Sequence, residues 1–195
     1  SVAGAVHSGD LAVGSLGTLV ADMYPPMSLV PQRSAGSHYG NARPEYLDAL
    51  RYAGFDCLAL ANPYNLDAGV RGIAATERSI RDHSLVPSGL GVSKDPVFDV
   101  NGIRVAVLSF TLEEYQLDSV TDDGADRLLN VFDDARARTA IARSRTRGAE
   151  FVLTYLDCRS SDGRHRLAER RAAGGRLAEL GAAYVICTLP QVVSR

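Results

Sequence analysis

Phe55-Asp56-Cys57-Leu58-Ala59-Leu60-Ala61-Asn62-Pro63-Tyr64-Asn65-Leu66-Asp67-Ala68-Gly69 is the stretch on which the fold turns. Its first seven residues are mostly apolar and too few for a helix, so they read as a buried strand. Asn62 to Gly69 is built from Asn, Pro, Asp and Gly, which favour turns. An amphipathic run from Val70 to Ile80 follows, and Ile73, Thr76, Ile80 and His83 share one face. Strand, loop and helix in that order form one α/β unit. In open α/β sheets ligands bind beside the loop that leaves the carboxyl end of a strand, so 62–69 is the first candidate site. Within it Asp67 suits a helix N-cap or turn residue. Asn62 suits a residue that ties the loop to the backbone. Tyr64 suits either a recognition aromatic or a packed cover. His83, at the end of the helix, suits the negative end of its dipole.

The same alternation extends in both directions. Upstream, Gly9 to Gly17 reads as a short strand running into a turn, and Ser1 to Val6 leaves a helix end and a frayed strand both open. Residues 21–43 are rich in Pro, Ser, Gly and Tyr and read as an irregular region, with His38 a solvated loop residue. Pro44 opens a helix carrying Tyr46, Leu47, Leu50 and Ala53, and Gly54 closes it. Downstream, Pro96–Val100 and Ile103–Phe110 flank Asn101-Gly102, a strong hairpin signal. The first of these strands alternates like an edge strand, and the second is nearly all apolar, like a central one. Asp133 or Asp134 can cap a helix running to Arg147, followed by a strand at Phe151–Leu156 and a polar loop at Asp157–Gly163. A helix over His165–Leu180, with Gly174-Gly175 as a weak point, leads to a last strand at Ala182–Cys187. The pattern predicts one α/β layered domain over residues 1–195.

Composition narrows the function classes. With 195 residues, 46% hydrophobic, the chain can bury a real core. A formal net charge of −2 provides no overall attraction for nucleic acid. Lys94 is the sole lysine, so basic charge is carried by Arg. No window approaches the roughly 20 apolar residues of a membrane span. No charged segment followed by an apolar one opens the chain as a signal peptide would. Cys57, Cys158 and Cys187 each lie in or at the end of an apolar run and read as buried free thiols. No Cys-x-x-Cys pair or clustered His suggests zinc.

Ala61-Asn62, Leu66-Asp67 and Gly69 fall where the CapA-type proteins of capsule and poly-γ-glutamate synthesis carry Ala-Asn-Asn-His-x-x-Asp-x-Gly, so the chain resembles that family. The resemblance runs from about Asp10 to Val193. It takes in Asn101-Gly102-Ile103 before the strand ending Leu108-Ser109-Phe110-Thr111, and Leu180-Gly181-Ala182-Ala183-Tyr184-Val185-Ile186 before Pro190. It implies a calcineurin-like metallophosphoesterase fold, a β-sandwich flanked by helices, present here in part, with a metal site at the strand ends. It also implies a cell-envelope role. The family's functional residues do not carry over. Pro63 and Tyr64 replace the second Asn and the His. Ser15-Leu16-Gly17 stands for Asn-Leu-Glu, Leu156-Asp157-Cys158 for His-Trp-Gly, and Cys187-Thr188-Leu189-Pro190-Gln191 for Gly-His-His-Pro-His. Asp10 fits the later Gly-Asp position better than the metal-binding one. A site of this class needs imidazole, amide and carboxylate ligands converging on a cation. The expectation is a metal-free, cofactor-free, catalytically silent domain with a vestigial pocket of Ser15, Asn62, Tyr64, Asp67, Asp157, Cys158, Thr188 and Gln191. Its partners would be an active CapA-like domain, the polymer-synthesis machinery, or an anionic polymer or sugar. A further reading keeps an enzyme with a changed ligand set, in which Asn62, Asp67, Asp157 and Gln191 line the pocket and hold a sugar or a polar peptide by hydrogen bonds. Arg164, Arg166, Arg170 and Arg171 form a solvated helix face beside Glu169 where an acidic polymer could dock.

One rival chemistry sits in the same region. Cys158 and Arg164 are separated by five residues, after a strand and before a helix. That is the layout of cysteine-dependent phosphatases, in which a depressed thiol attacks phosphate held by backbone N–H groups and Arg. Cys158 would be the nucleophile, Arg164 the clamp, and Asp157 or Asp162 the acid.

Overall fold

The structure, a computed structural model, describes residues 2–22, 40–66, 69–90, 95–112, 129–158 and 167–188. Among these, in chain order, are α1 (Val2–His7), β1 (Val13–Ser15), α2 (Glu45–Tyr52), β2 (Cys57–Ala59), a 3-10 turn (Pro63–Leu66), α3 (Gly69–Asp82) and β3 (Val86–Ser88). They continue with β4 (Val97–Val100), β5 (Ile103–Thr111), α4 (Asp134–Thr146), β6 (Phe151–Asp157), α5 (Leu167–Glu179) and β7 (Tyr184–Thr188). The strands form two sheets, ordered β1-β2-β3 and β4-β5-β6-β7. All pairs are parallel except β4 with β5. This is the layered α/β architecture expected from the sequence.

Each element follows from local chemistry. At the β4–β5 hairpin Asn101 and Gly102 both take positive φ, 53° and 86°, as the tight turn requires. The Asp99 side chain accepts a hydrogen bond from the Gly102 N–H at 2.9 Å. Asp133, with extended backbone, caps α4 by accepting from the Arg136 N–H at 2.8 Å. α5 runs unbroken through Gly174-Gly175, because its buried Ala173 and Leu177 pin it on either side of the pair.

Two apolar clusters hold the layers. One joins Ala106, Leu108, Phe110, Val152 and Leu156 of the four-stranded sheet to Ala137, Ala140 and Ile141 of α4 and to Ala173 and Leu177 of α5. Phe110 meets Phe132 edge to face, with centroids 6.2 Å apart. The other joins Leu58 and Leu60 to Leu47 of α2, to Ile73 and Ile80 of α3, and to Leu85, Leu90 and Leu129. Side chains alternate along a strand, so Val107, Ser109 and Thr111 of β5, all buried, project away from the first cluster and towards the three-stranded sheet.

The sheets meet along a polar seam. Ser88 Oγ donates to the Val107 carbonyl at 2.8 Å, the Ala61 N–H to Ser109 Oγ at 3.2 Å, and the Asn130 N–H to the Gly89 carbonyl at 3.2 Å. Tyr155 Oη reaches the Val13 carbonyl at 3.0 Å. Gly89 lies at the closest approach. A Cβ there would fall 2.6 Å from Ser109 Cβ and 2.9 Å from Ala61 Cβ, and its φ is +84°.

The structure differs from the sequence reading in several places. β3 lacks any periodic signature: three residues with Pro87 in the middle do not read as a strand. They pair because an edge strand tolerates a missing N–H, and Cys57↔Val86 to Ala59↔Ser88 fix the register. The Phe55–Ala61 strand shortens to Cys57–Ala59. Ser1–Val6 resolves in favour of helix, as α1. The described ends of the 21–43 region are held rather than loose. Asn41 mimics a strand neighbour, its amide exchanging hydrogen bonds with the Ala21 N–H and C=O, both at 2.8 Å. His38 lies outside the described residues.

Gly89→Ala is expected to lower stability by about 3 kcal/mol or more, since overpacking and a left-handed φ add. Chemical denaturation checks this. Asp133→Ala, which removes one cap, is expected to cost only about 1 kcal/mol in the same assay.

Candidate functional site

The carboxyl ends of β1, β2, β5, β6 and β7 carry the candidate residues, and the loop after β2 is the most constrained of these places. Its centre is the Leu60 carbonyl, which accepts from the Asn62 N–H at 2.8 Å, Asn62 Nδ2 at 3.2 Å and Asn65 Nδ2 at 2.7 Å. Asn62 Nδ2 also donates to the Leu16 carbonyl at 2.9 Å, tying the end of β1 to the β2 loop. Two carbonyls on one amide nitrogen fix its orientation. Both Asn side chains are buried, and each leaves its Oδ1 without a hydrogen-bond partner among protein atoms. Asn62 therefore has the tethering role expected of it. Asn65 is an equal member that sequence reasoning missed. Its spacing, five residues after Leu60, was visible, but nothing in the sequence shows the loop curling back on that carbonyl. Tyr64 lies half-buried in the 3-10 turn between them.

A second group closes the other side. Asp157, the last residue of β6 and not the first of a loop, is buried. It pairs with Thr188 across the ladder, and Thr188 Oγ1 donates to Asp157 Oδ1 at 2.9 Å. The Leu112 N–H donates to the Asp157 carbonyl at 2.9 Å, closing the ends of β5 and β6 together. Ser15 is exposed at the end of β1. Asp67, Asp162, Arg164, Arg166 and Gln191 lie outside the described residues.

The three thiols do not share one environment. Cys57 is buried in β2, where burial and then the neighbouring Asp56 push its thiol up to about 12. Cys158 is also buried, and its thiol is raised by a hydrogen bond with Cys187 and by desolvation. Cys187 is exposed, which corrects the expectation of three buried thiols. It lies on β7, the last strand of its sheet, where no described strand pairs beyond it. The Cys158 hydrogen bond lowers it to about 7 against desolvation, with help from Arg170. Arg170 corrects a second expectation. It is half-buried, not solvated, and its Nε is buried without a hydrogen-bond partner. A phosphatase nucleophile needs a depressed thiol; Cys158 is buried with its thiol raised, and residues 159–166, with Arg164, lie outside the described residues.

His83 keeps a structural place. Its Nδ1 lies 2.7 Å from the Ser79 carbonyl, and its Nε2 lies 3.8 Å from Asp48 on α2. Asp95 is nearly fully buried and ion-paired to Arg143 of α4. The Arg147 Nη1 donates to the Asp95 carbonyl at 2.7 Å. These contacts pin the start of β4 rather than form a site.

A layered α/β domain with loops gathered at parallel strand ends, an Asn-rich turn after β2 and a hairpin led by Asn-Gly defines the class. The family model for the bacterial capsule synthesis protein PGA_cap matches residues 1–195, so the chain belongs to that family. Two curated relatives, "Uncharacterized protein y4sH" and "Uncharacterized protein y4uA" of Sinorhizobium fredii, are each 29% identical to it over 89 residues. Those matches cover 46% of this chain and 19% of each relative, so the matched region is about a fifth of either relative's length. No helix among the described residues is long and apolar enough to cross a membrane.

A metal of the kind the family resemblance implies does not fit the side chains described. The described strand ends offer one carboxylate, Asp157, already accepting from Thr188, and the two amide oxygens Asn62 Oδ1 and Asn65 Oδ1, with no imidazole among them. Among the described residues no group of three His, Cys, Asp or Glu side chains is placed to hold a metal ion.

Asn62→Ala is expected to cost about 2 kcal/mol, because it leaves the Leu16 carbonyl short of a donor. Asn62→Asp is expected to cost more, since it sets a carboxylate against two carbonyls. Thermal or denaturant unfolding of both variants checks the order.

Proposed function

We propose that this domain is a metal-free, catalytically silent member of the capsule synthesis family, with a binding or scaffolding role in making capsule, poly-γ-glutamate or another envelope polymer. The observation that carries the reading is how the strand-end side chains are used. Asn62 and Asn65 bind the Leu60 carbonyl, and Asp157 binds Thr188. The amide N–H groups and the carboxylate at this position hold loops to strands, while Asn62 Oδ1 and Asn65 Oδ1 are left without a protein partner. Metal-assisted hydrolysis needs a cation to polarise the substrate and acidify water, and this donor set has little to hold one with. The partners that suit such a domain are an active copy of the fold, the synthesis machinery, or the polymer itself.

Metal content tests the silent reading. Protein purified without chelator, then dialysed against manganese and zinc in turn, is expected to retain far less than one ion per chain. One tightly held ion per chain, with phosphoesterase activity that depends on it, overturns the reading. Binding to poly-γ-glutamate tests the polymer role. An association through exposed Arg residues such as Arg171 is expected to weaken steeply between low and physiological salt.

A further inference from the structure

Cys158 and Cys187 are used by neither the loop architecture nor the proposed role. Cys187 lies opposite Leu156 in the β6–β7 ladder, and Cys158 lies two residues beyond Leu156. Residues two apart on a strand share a face, so both thiols point to the side covered by α5. Asp157↔Thr188 is the last pair of this ladder among the described residues. The helix leaves room for them, since Gly174 has Cys187 Sγ as the one non-local atom near its missing side chain, at 3.7 Å. The two thiols act on each other's proton affinity, and Cys158 Sγ donates to the Leu156 carbonyl at 3.5 Å. One thiol is exposed and the other is buried behind it. The charged groups acting on the pair are Arg170 from α5, which favours thiolate, and Asp157, which disfavours it at Cys158.

We infer that Cys187 and Cys158 form an oxidisable dithiol, in which Cys187 reacts first with a peroxide and Cys158 resolves the product into a disulfide across the ends of β6 and β7. The balance is complete with hydrogen peroxide as oxidant. The Cys187 thiolate attacks one peroxide oxygen; an S–O bond forms, the O–O bond breaks, and the departing hydroxide takes up a proton as water. The Cys158 sulfur then attacks the Cys187 sulfenic acid. The S–S bond forms, the S–O bond breaks, and the hydroxyl leaves with the Cys158 proton as a second water. Two thiols lose two electrons and one peroxide gains them. The asymmetry of the pair sets the order. The accessible sulfur has a lowered pKa of about 7, and the sheltered one keeps its proton until a partner is presented. The disulfide would tie the ends of β6 and β7 beside the Asp157↔Thr188 pair, which gives the candidate site a dependence on redox state. The inference does not rest on the silent, metal-free reading.

The test uses the full chain, reduced and then exposed to modest hydrogen peroxide, with peptide mapping of the product. A Cys158–Cys187 disulfide reversible by dithiothreitol is expected, with Cys57 still a thiol. Cys187→Ser is expected to lose the reaction, and Cys158→Ser to leave a Cys187 sulfenic acid that a 1,3-diketone traps. Unaltered protein provides an independent reading should the buried substitution unfold it. Alkylation of Cys187 by iodoacetamide is expected to titrate near pH 7, and at that pH to run roughly threefold faster than a free cysteine, the larger thiolate fraction being partly offset by weaker nucleophilicity. Three results would each overturn the inference: an ordinary thiol titration at Cys187, oxidation no faster than at Cys57, or a Cys187–Cys187 link between chains with Cys158 still reduced.

Discussion

The closest contact between the two sheets is the constraint from which the rest of the molecule follows. At Gly89 the backbone passes so near Ser109 that no side chain fits between them. That approach brings Ser88 Oγ to the Val107 carbonyl and Ser109 Oγ to the Ala61 N–H. Small residues do the joining because hydroxyls and bare backbone can satisfy each other over a distance that apolar side chains would fill. Once the sheets are fused, the strand ends open on the same side and deliver the described candidate residues there. A larger side chain at Gly89 would separate the layers and the site together.

The site built on this seam is held mainly by main-chain carbonyls. Leu60 receives three donors, and Leu16 receives a fourth through Asn62. An Asn can bridge strands in this way because its amide carries two N–H groups on a short, stiff arm. The same geometry consumes the amide N–H groups and leaves both Oδ1 atoms without a protein partner. On the opposite side Asp157 and Thr188 repeat the pattern with a hydroxyl and a carboxylate. Structure and chemistry compete for the same few polar atoms, and here structure takes most of them.

Much of this was legible in the residues. Asn101-Gly102 specifies its hairpin, Asp133 its helix cap, and the apolar run of β5 its central place, because each depends on neighbours close in sequence. The family motif around Asn62 and its departures at Pro63 and Tyr64 could also be read directly. What escaped detection depended on distant partners. β3 exists because β2 offers a free edge, and Pro87 hides it from any pattern of periodicity. Asn65 gains its role when the loop folds back by five residues. Arg170 looks like one of several Arg on an exposed helix until α5 docks and buries its Nε.

The thiols mark the dividing line most sharply. The sequence by itself determined an α/β layered chain of the capsule synthesis family. That conclusion rests on residue identity and order alone. It could not say that Cys187 is open to solvent while Cys158 is closed, or that the two lie on one face under α5. That was decided by the pairing of β7 as the last strand of its sheet and by the packing of α5 across it. Burial and proton affinity are properties of surroundings, and those surroundings come from residues far away along the chain.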